Sequence, residues 1–368
     1  MKRDRILVAE MLYPEGHKTS NEARLKLLSN FSDIILVDDG KYYSEMDLNS
    51  IVKRIYVSHN MPSKQVFYKV KRFLPFIKYS PLEFWAYLWL LIKIAFKSIF
   101  VKYDYVLLLS VRTDALAFGR LLFRKPIIVV HHNDIDRLLI KPTDLYLFNW
   151  YKNKINHIVI ADFIKEGLTN QFKVSSDKIF VIHEALVNFM SIDDVDFTSK
   201  RNLILGLGQT CDEDTLQEMI KMDQSCKEDL PYKLYMRNKT IDFSGKNLQI
   251  TNRYLSREEY NKLLLEAKAC VLFYPKEYNL RYSGIIGDSL EYGLSVYGNN
   301  IPVVRYYSEL YPNTCHLLDS PKVLFDEIQK SKVDAFLPDI KDYYEKHSYK
   351  YISSQLQNMF GDLNLRVR

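Results

Sequence analysis

Glycine and proline are scarce in this chain, 12 of each in 368 residues, and only four cysteines accompany them. Cys211, Cys226, Cys270 and Cys315 stand far apart and form no C-x-x-C pair. Their spacing excludes a thiolate zinc knuckle and a disulfide framework, and it suits a reducing compartment. No G-x-x-x-x-G-K-[ST] occurs, which excludes a phosphate-loop nucleotidase. The only G-x-G, at Gly206 to Gly208, lacks the third glycine and the later acid of a dinucleotide fingerprint. The apolar start RILVAEM is short and cut by Glu10, and it is expected to be a first strand rather than a secretion signal.

What the chain has is apolar bulk, 47% hydrophobic and 14% aromatic, enough for two packed cores. Short β-rich runs (RILVAEM, DIILVDD, DYVLLLS, PIIVVHH, HIVIA, KIFVIHEAL) alternate with helical stretches, and their apolar character is continuous. Such runs indicate parallel sheets covered on both faces. After the polar MSIDDVDFTSKRN the pattern restarts with NLILGLG, YKLYMRN, LQITNRY, CVLFYP, LSVYG and IPVVRY, each read as a strand. The expected organisation is α/β, with two Rossmann-like doubly wound parallel-sheet domains facing across a cleft. The first spans 1–195 and the second 200–340, with a linker near 192–201. A helical segment at 341–368 is expected to pack back toward the first domain. Ligands of such sheets bind beyond the strands' carboxyl ends.

The net charge of +6 is unevenly placed. Residues 64–102 hold eight bases (Lys64, Lys69, Lys71, Arg72, Lys78, Lys93, Lys97, Lys102) against Glu83, a net +7 that exceeds the whole chain's. Nucleic-acid binders spread charge along a groove; here it gathers beside the greasy PLEFWAYLWLLIKIAFKSIFV of 81–101. Glu83, Lys93 and Lys97 make that segment a poor bilayer span. It reads either as a core helix or, with its tryptophans and lysines, as a helix docked on an anionic membrane surface.

Several residues stand where chemistry would be placed. The loop YNLRYSGIIGDSLE follows the strand CVLFYP and enters a helix at Gly284, offering unpaired backbone N–H groups to a diphosphate. Arg281 can add a charge-assisted bond, and Glu291 lies inside the helix. Arg237 and Lys239 follow the strand YKLYM, with Arg253 behind them. PIIVVHHND ends a buried strand in His131 and His132, whose imidazoles would serve at the strand's carboxyl end. Adjacency turns the two to opposite faces, and His131 is preferred because the last strand residue is held more rigidly. Adjacent ligands also make HHND a poor metal site, so no metal is expected. Arg112 and Asp114 end another strand, and Pro14–His17 form a turn after the first.

These features together resemble the GT-B-fold glycosyltransferases, in particular the retaining nucleotide-sugar-dependent group of bacterial surface polysaccharide synthesis. In that group the first domain ends in K-I-x-V-I-P-N-G, here Lys178-Ile179-Phe180-Val181-Ile182-His183-Glu184-Ala185. A helical S-x-E-E-L-x-x-L-Y-x-x-A then precedes a strand and P-S-x-x-E-G-F-G-L-P-x-x-E-A-x-A-x-G-x-P-V. This chain has SREEYNKLLLEA at Ser256 to Ala267, SGIIGDSLEYG at Ser283 to Gly293 and IPVV at Ile301 to Val304. Set in this register, the family's two glutamates fall on Ser283 and Glu291. The resemblance implies that Glu291 contacts the nucleotide ribose and that the RYSG loop, with Arg281, Ser283 and Gly284, holds the donor. It implies that a basic residue, Arg237 before Lys239, faces the leaving pyrophosphate, and that a histidine touches the donor sugar or assists the acceptor hydroxyl.

The implied activity is hexosyl transfer from a nucleotide diphosphate sugar, a UDP-sugar, with no further cofactor. The implied acceptor is a polyprenyl-diphosphate-linked oligosaccharide or another glycan. The expected place of action is cytoplasmic, peripheral at the inner membrane face. Two alternatives stay open: a non-catalytic GT-B-fold binding or scaffold subunit, which the serine at 283 favours, and a sugar-nucleotide 2-epimerase.

Overall fold

The structure is a computed structural model that describes residues 3–11, 17–41, 43–44, 48, 50–58, 79–132, 134–189, 191–208, 211–329 and 335–367. The turn residues 14–16, the bases at 64–78 and Asn133 therefore lie outside the described residues. Two compact units result, Met1–Val187 with Tyr349–Arg368, and Asn188–Ser348.

The first unit runs β1 (Asp4–Glu10), α1 (Lys18–Ser29), β2 (Ser32–Asp38), β3 (Val52–Tyr56), α2 (Tyr79–Ser98), β4 (Tyr105–Ser110) and α3 (Thr113–Gly119). It continues with β5 (Ile127–Val130), α4 (Asp136–Ile140), α5 (Pro142–Tyr151), β6 (Asn156–Val159), α6 (Asp162–Asn170) and β7 (Ile179–Val181). The seven strands are parallel in the order β3-β2-β1-β4-β5-β6-β7. All six residues of β4 are buried, as a strand covered on both faces requires. The order reverses between β1 and β4, which opens a crevice at their carboxyl ends.

The second unit holds β8 (Arg201–Gly206), α7 (Glu213–Ser225), β9 (Lys233–Arg237), β10 (Phe243–Ser244), β11 (Leu248–Thr251), α8 (Arg257–Glu266) and β12 (Ala267–Leu272). Then come α9 (Gly284–Glu291), β13 (Ser295–Asn299), α10 (Pro302–Leu310), β14 (Cys315–Leu318), α11 (Pro321–Gln329) and α12 (Leu337–His347). Its sheet order is β10-β11-β9-β8-β12-β13-β14, parallel but for the short β10. The reversal here lies between β8 and β12. Helix starts follow local chemistry: Asp212 caps α7 through the Thr215 N–H at 3.0 Å, and Ser256 and Glu259 close a capping box on α8.

The two parallel-sheet units expected from the continuous apolar runs are present; one expected strand is not. IPVVRY begins α10. Pro302 occupies the first turn, where a missing N–H costs nothing, and Val303, Val304 and Tyr307 face the core at helical spacing. The final helix α13 (Tyr349–Val367) belongs to the first unit. Its Ile352, Leu356, Met359, Phe360 and Leu363 join the first unit's core with Leu25, Leu28 and Tyr105.

Candidate active site

At the switch point of the second sheet, the loop from Phe273 to Ser283 is fixed by its own side chains. Asn299 holds the Tyr274 backbone from both sides, accepting from its N–H at 2.9 Å and donating to its carbonyl at 2.7 Å. The Tyr278 ring stacks on Tyr274 at 4.1 Å, and the Arg281 guanidinium lies 4.9 Å above the Tyr278 ring. The Tyr278 hydroxyl donates to the Tyr282 carbonyl at 2.7 Å. This layered stack sets Arg281 half-exposed beside the start of α9. Sequence reading singled out Arg281 but missed Tyr274 and Tyr278, which position it.

Ser283 is the N-cap of α9. Its buried hydroxyl accepts from the Ile286 N–H at 3.4 Å and bonds the Tyr274 hydroxyl at 2.8 Å. Its side chain is thus consumed by the fold, which corrects its assignment as a donor contact. Gly284 is exposed, with open space where a side chain would begin. Its N–H and that of Ile285 precede the helical ladder, so an anion can take them. Gly208, after β8, lies against the same helix end, 3.6 Å from Ile285 where its Cβ would stand. A small cavity of about 10 Å³ beside it is lined by Gly206, Cys211, Met236 and Tyr274. Burial pushes the Cys211 thiol up to about 12, so it offers no thiolate.

Glu291 is buried, and its carboxylate accepts from the Asn188 N–H (2.6 Å), the Phe189 N–H (3.0 Å) and Asn188 Nδ2 (3.0 Å). It pins the 188–189 backbone, which corrects its expected contact with a ribose. Arg237 donates from Nε to the Arg253 carbonyl at 3.1 Å and lies 4.7 Å over the Tyr254 ring, while Lys239 is exposed. Neither stands on β8 or β12, the strands that bound the switch point.

In the first unit the adjacent histidines part. His131 turns inward: Nδ1 meets Asp134 at 2.6 Å and Nε2 meets His157 Nδ1 at 2.8 Å. His157 Nε2 lies 2.6 Å from the Lys152 carbonyl, so it must donate there and accept from His131. Burial pushes His157 down to about 3, which keeps it neutral. Both ring nitrogens of His131 are therefore occupied, and rigid placement at the strand end locks it into the core rather than aiming it at a ligand.

His132 lies on the other side. Its ring donates to the Leu109 carbonyl, its buried Nε2 has no partner among the described residues, and it stacks on His17 at 3.9 Å. Burial, then the neighbouring His17 and Arg24, hold it well below the ordinary range, and burial also lowers His17. Around them Glu10 accepts from Asn21 at 2.7 Å and Ser110 at 3.1 Å, and Ser20 donates to Glu184 at 2.7 Å. Sequence reading placed His17 only in a turn and missed this pairing. Arg112 and Asp114, by contrast, are bound to one another at 2.5 and 2.8 Å, with Glu83 at 2.6 Å completing the cluster. Among the described residues no group of three or more His, Cys, Asp or Glu is placed to hold a metal ion.

No protein-family model matches the chain, and no curated protein matches it in sequence. Solved structures do match its shape. A glycosyltransferase from Rickettsia africae aligns at a TM-score of 0.62 with 12% identity over 99% of each chain. Anabaena HepE in complex with UDP-glucose aligns at 0.64 with 11% identity, over 97% of this chain and 99% of that one. Sucrose-phosphate synthase from Thermosynechococcus elongatus aligns at 0.66 with 11% identity, over 99% and 100%. The chain has the GT-B fold.

The motif of the group that the sequence resembles can be set in a second register on these elements. The strand after α9 is β13, not the IPVV segment, so G-x-P-V falls on Gly293-Leu294-Ser295-Val296. Gly293 has φ +66, a conformation that selects glycine and so anchors the motif. Counting back five from it puts the second acid on Asp288, and eight further puts the first on buried Leu280. Asp288 is half-exposed, one turn beyond Gly284 on the only accessible face of α9, and accepts from the Tyr260 hydroxyl at 2.7 Å.

Proposed function

We propose that this chain is a glycosyltransferase that binds a UDP-sugar in its second unit and passes the sugar to a glycan hydroxyl. The observation that carries the reading is the open face of α9, where Gly284 and Asp288 follow one another by a single turn at the sheet's switch point. The N–H groups of Gly284 and Ile285 take the diphosphate. About 5.4 Å further along the helix, one turn, Asp288 meets the ribose hydroxyls. The complexes of HepE with UDP and with UDP-glucose support a uridine nucleotide as the donor.

Breaking the glycosidic bond leaves charge on the β-phosphate. The helix end and Arg281 are fixed before the reaction, so they lower that cost without reorganising. In the first unit His132 Nε2 is a buried, neutral lone pair without a donor among the described residues, and an acceptor hydroxyl that reaches it supplies one. The reading extends to a hexosyl donor, a lipid-linked acceptor of surface polysaccharide synthesis, and action at the cytoplasmic membrane face. A binding subunit without turnover is the second reading, favoured by Leu280 standing in the place of the first acid.

Calorimetric titration with UDP, GDP and dTDP in the presence of a chelator tests the donor site. UDP binding is expected; heat from none of the three would remove the reading. Release of UDP from a UDP-hexose, with and without a glycan acceptor, then separates the transferase from the binding subunit.

A further inference from the structure

Among the described residues, the first unit presents an exposed aromatic surface. Helix α2 buries Tyr87, Leu90, Leu91 and Ile94 against the unit. Its opposite side carries Leu82, Trp85, Trp89, Ile92, Phe96 and, just beyond its end, Ile99, spaced 3, 4, 3, 4 and 3 residues apart. Trp85 is 64% exposed and Trp89 58%. The helix is held by the ion pair of Glu83 with Arg112, so this face is fixed.

The stripe does not end with α2. Helix α3 and the turn Arg120–Leu122 after it pack on α2, and α5 packs on α3. The Phe118 ring meets Phe84 at 5.9 Å and Trp150 at 5.8 Å, joining the three helices into one aromatic field. Leu121 at the turn is 67% exposed, and Ile140 and Tyr146 are exposed on α4 and α5. The patch is therefore broad as well as long.

Charge supplies an independent observation. Among the described residues of 79–154, the exposed bases are Lys97, Lys102, Arg124, Lys125, Lys141 and Lys154, and no Asp or Glu is exposed. The acids of this stretch are engaged within the fold. Arg112 takes Glu83 and Asp114, Arg5 takes Asp104, Arg137 takes Asp144, and His131 takes Asp134.

We propose that this face, from α2 across the 120–122 turn to α5, docks on the surface of an anionic lipid bilayer, with α2 lying at headgroup level. Exposed tryptophans beside exposed bases suit that boundary layer. A second copy of the chain would need only a narrow seam along the 3-4 spacing; the lateral spread over α3 and α5 argues for a flat partner. No described helix is long and apolar enough to cross a membrane. The inference names the surface that would bring the proposed transferase to a lipid-linked acceptor, and rests on that reading for its purpose alone.

The test is flotation of the full chain with vesicles of phosphatidylglycerol or of phosphatidylcholine, beside UDP titration. Partition to the anionic vesicles is expected, weakened by salt. Arg124→Glu with Lys125→Glu, and separately Trp85→Ser with Trp89→Ser, should each lower it about tenfold or more while leaving UDP binding unchanged. Absence of any preference for anionic vesicles, or partition indifferent to both pairs of changes, would overturn the proposal. So would a solution dimer that the tryptophan changes dissolve, which would assign the face to a second copy. If UDP fails to bind while flotation behaves as stated, the transferase reading falls and the lipid surface stands.

Discussion

Around β1 and β4 the carboxyl edge of the first sheet is crowded with ionisable side chains: Glu10, Arg24, His17, His132 and Glu184 within one hydrogen-bonded and electrostatic cluster. Around β8 and β12 the second sheet, with the same reversal of strand order, holds glycines, a tyrosine stack and the bare start of α9. One crevice offers side-chain lone pairs, the other backbone N–H groups. Under the proposed transferase reading, that difference divides the two halves of a glycosyl transfer. Accepting a proton needs a group with a tunable lone pair, whereas holding a diphosphate needs donors that cannot titrate.

Breaking the first crevice should have the largest effect. His132→Ala is expected to lower turnover on a glycan acceptor by about 10²–10⁴-fold, the range for general acid–base groups, with UDP affinity unchanged. His131→Ala should instead lower thermal stability, since it strips His157 and Asp134 of a buried partner. Turnover measured beside melting temperature separates the two histidines.

The pH dependence of stability sharpens the contrast next. His157, at about 3, and His132 and His17, also lowered, hold folded-state values below the unfolded 6.5. The unfolded chain therefore takes up protons first, and stability present above about pH 6.5 is lost as the pH falls below it. Urea unfolding should show a loss of about 2 kcal/mol for His157 between pH 7 and pH 5. His157→Phe should flatten that slope. The second unit's crevice carries no histidine and should contribute no such slope.

Smaller effects belong to the second crevice. Arg281→Ala should weaken UDP binding by about 1–2 kcal/mol, a lost charge-assisted bond at a half-exposed site. Lys239→Ala, at an exposed position beyond β9, should change it by less than about 0.5 kcal/mol. Isothermal titration orders the two.

How far the sequence reaches differs between fold and site for a physical reason. Parallel strands announce themselves by continuous apolar runs, and β1, β4, β5, β8 and β12 all read correctly. The same continuity removes the alternation that would tell which neighbour faces which layer. For that reason His131 and His132 could be located but not oriented. The misread IPVVRY shows the companion weakness: a four-residue apolar run after a proline fits a strand or a first helical turn equally well. In the α9 loop the acid at Glu291 was the conspicuous residue, but the one fixed by backbone geometry was Gly293, and counting from it would have indicated Asp288. His17, His157, Tyr274 and Tyr278 were beyond reach, because their roles come from contacts with residues distant in sequence or from ring stacking that leaves no periodic trace.

The most direct test of the donor site crosses two acids of one helix. Asp288→Asn and Glu291→Gln are compared by UDP titration and by thermal unfolding on the full chain. If the open face of α9 holds the nucleotide, Asp288→Asn should weaken UDP binding by about 1–3 kcal/mol and leave unfolding nearly unchanged. Glu291→Gln, having lost the carboxylate that holds the Asn188 and Phe189 N–H groups, should lower the melting temperature and keep UDP affinity. The reverse outcome, UDP binding lost at Glu291 and unaltered at Asp288, would contradict the site described for this chain.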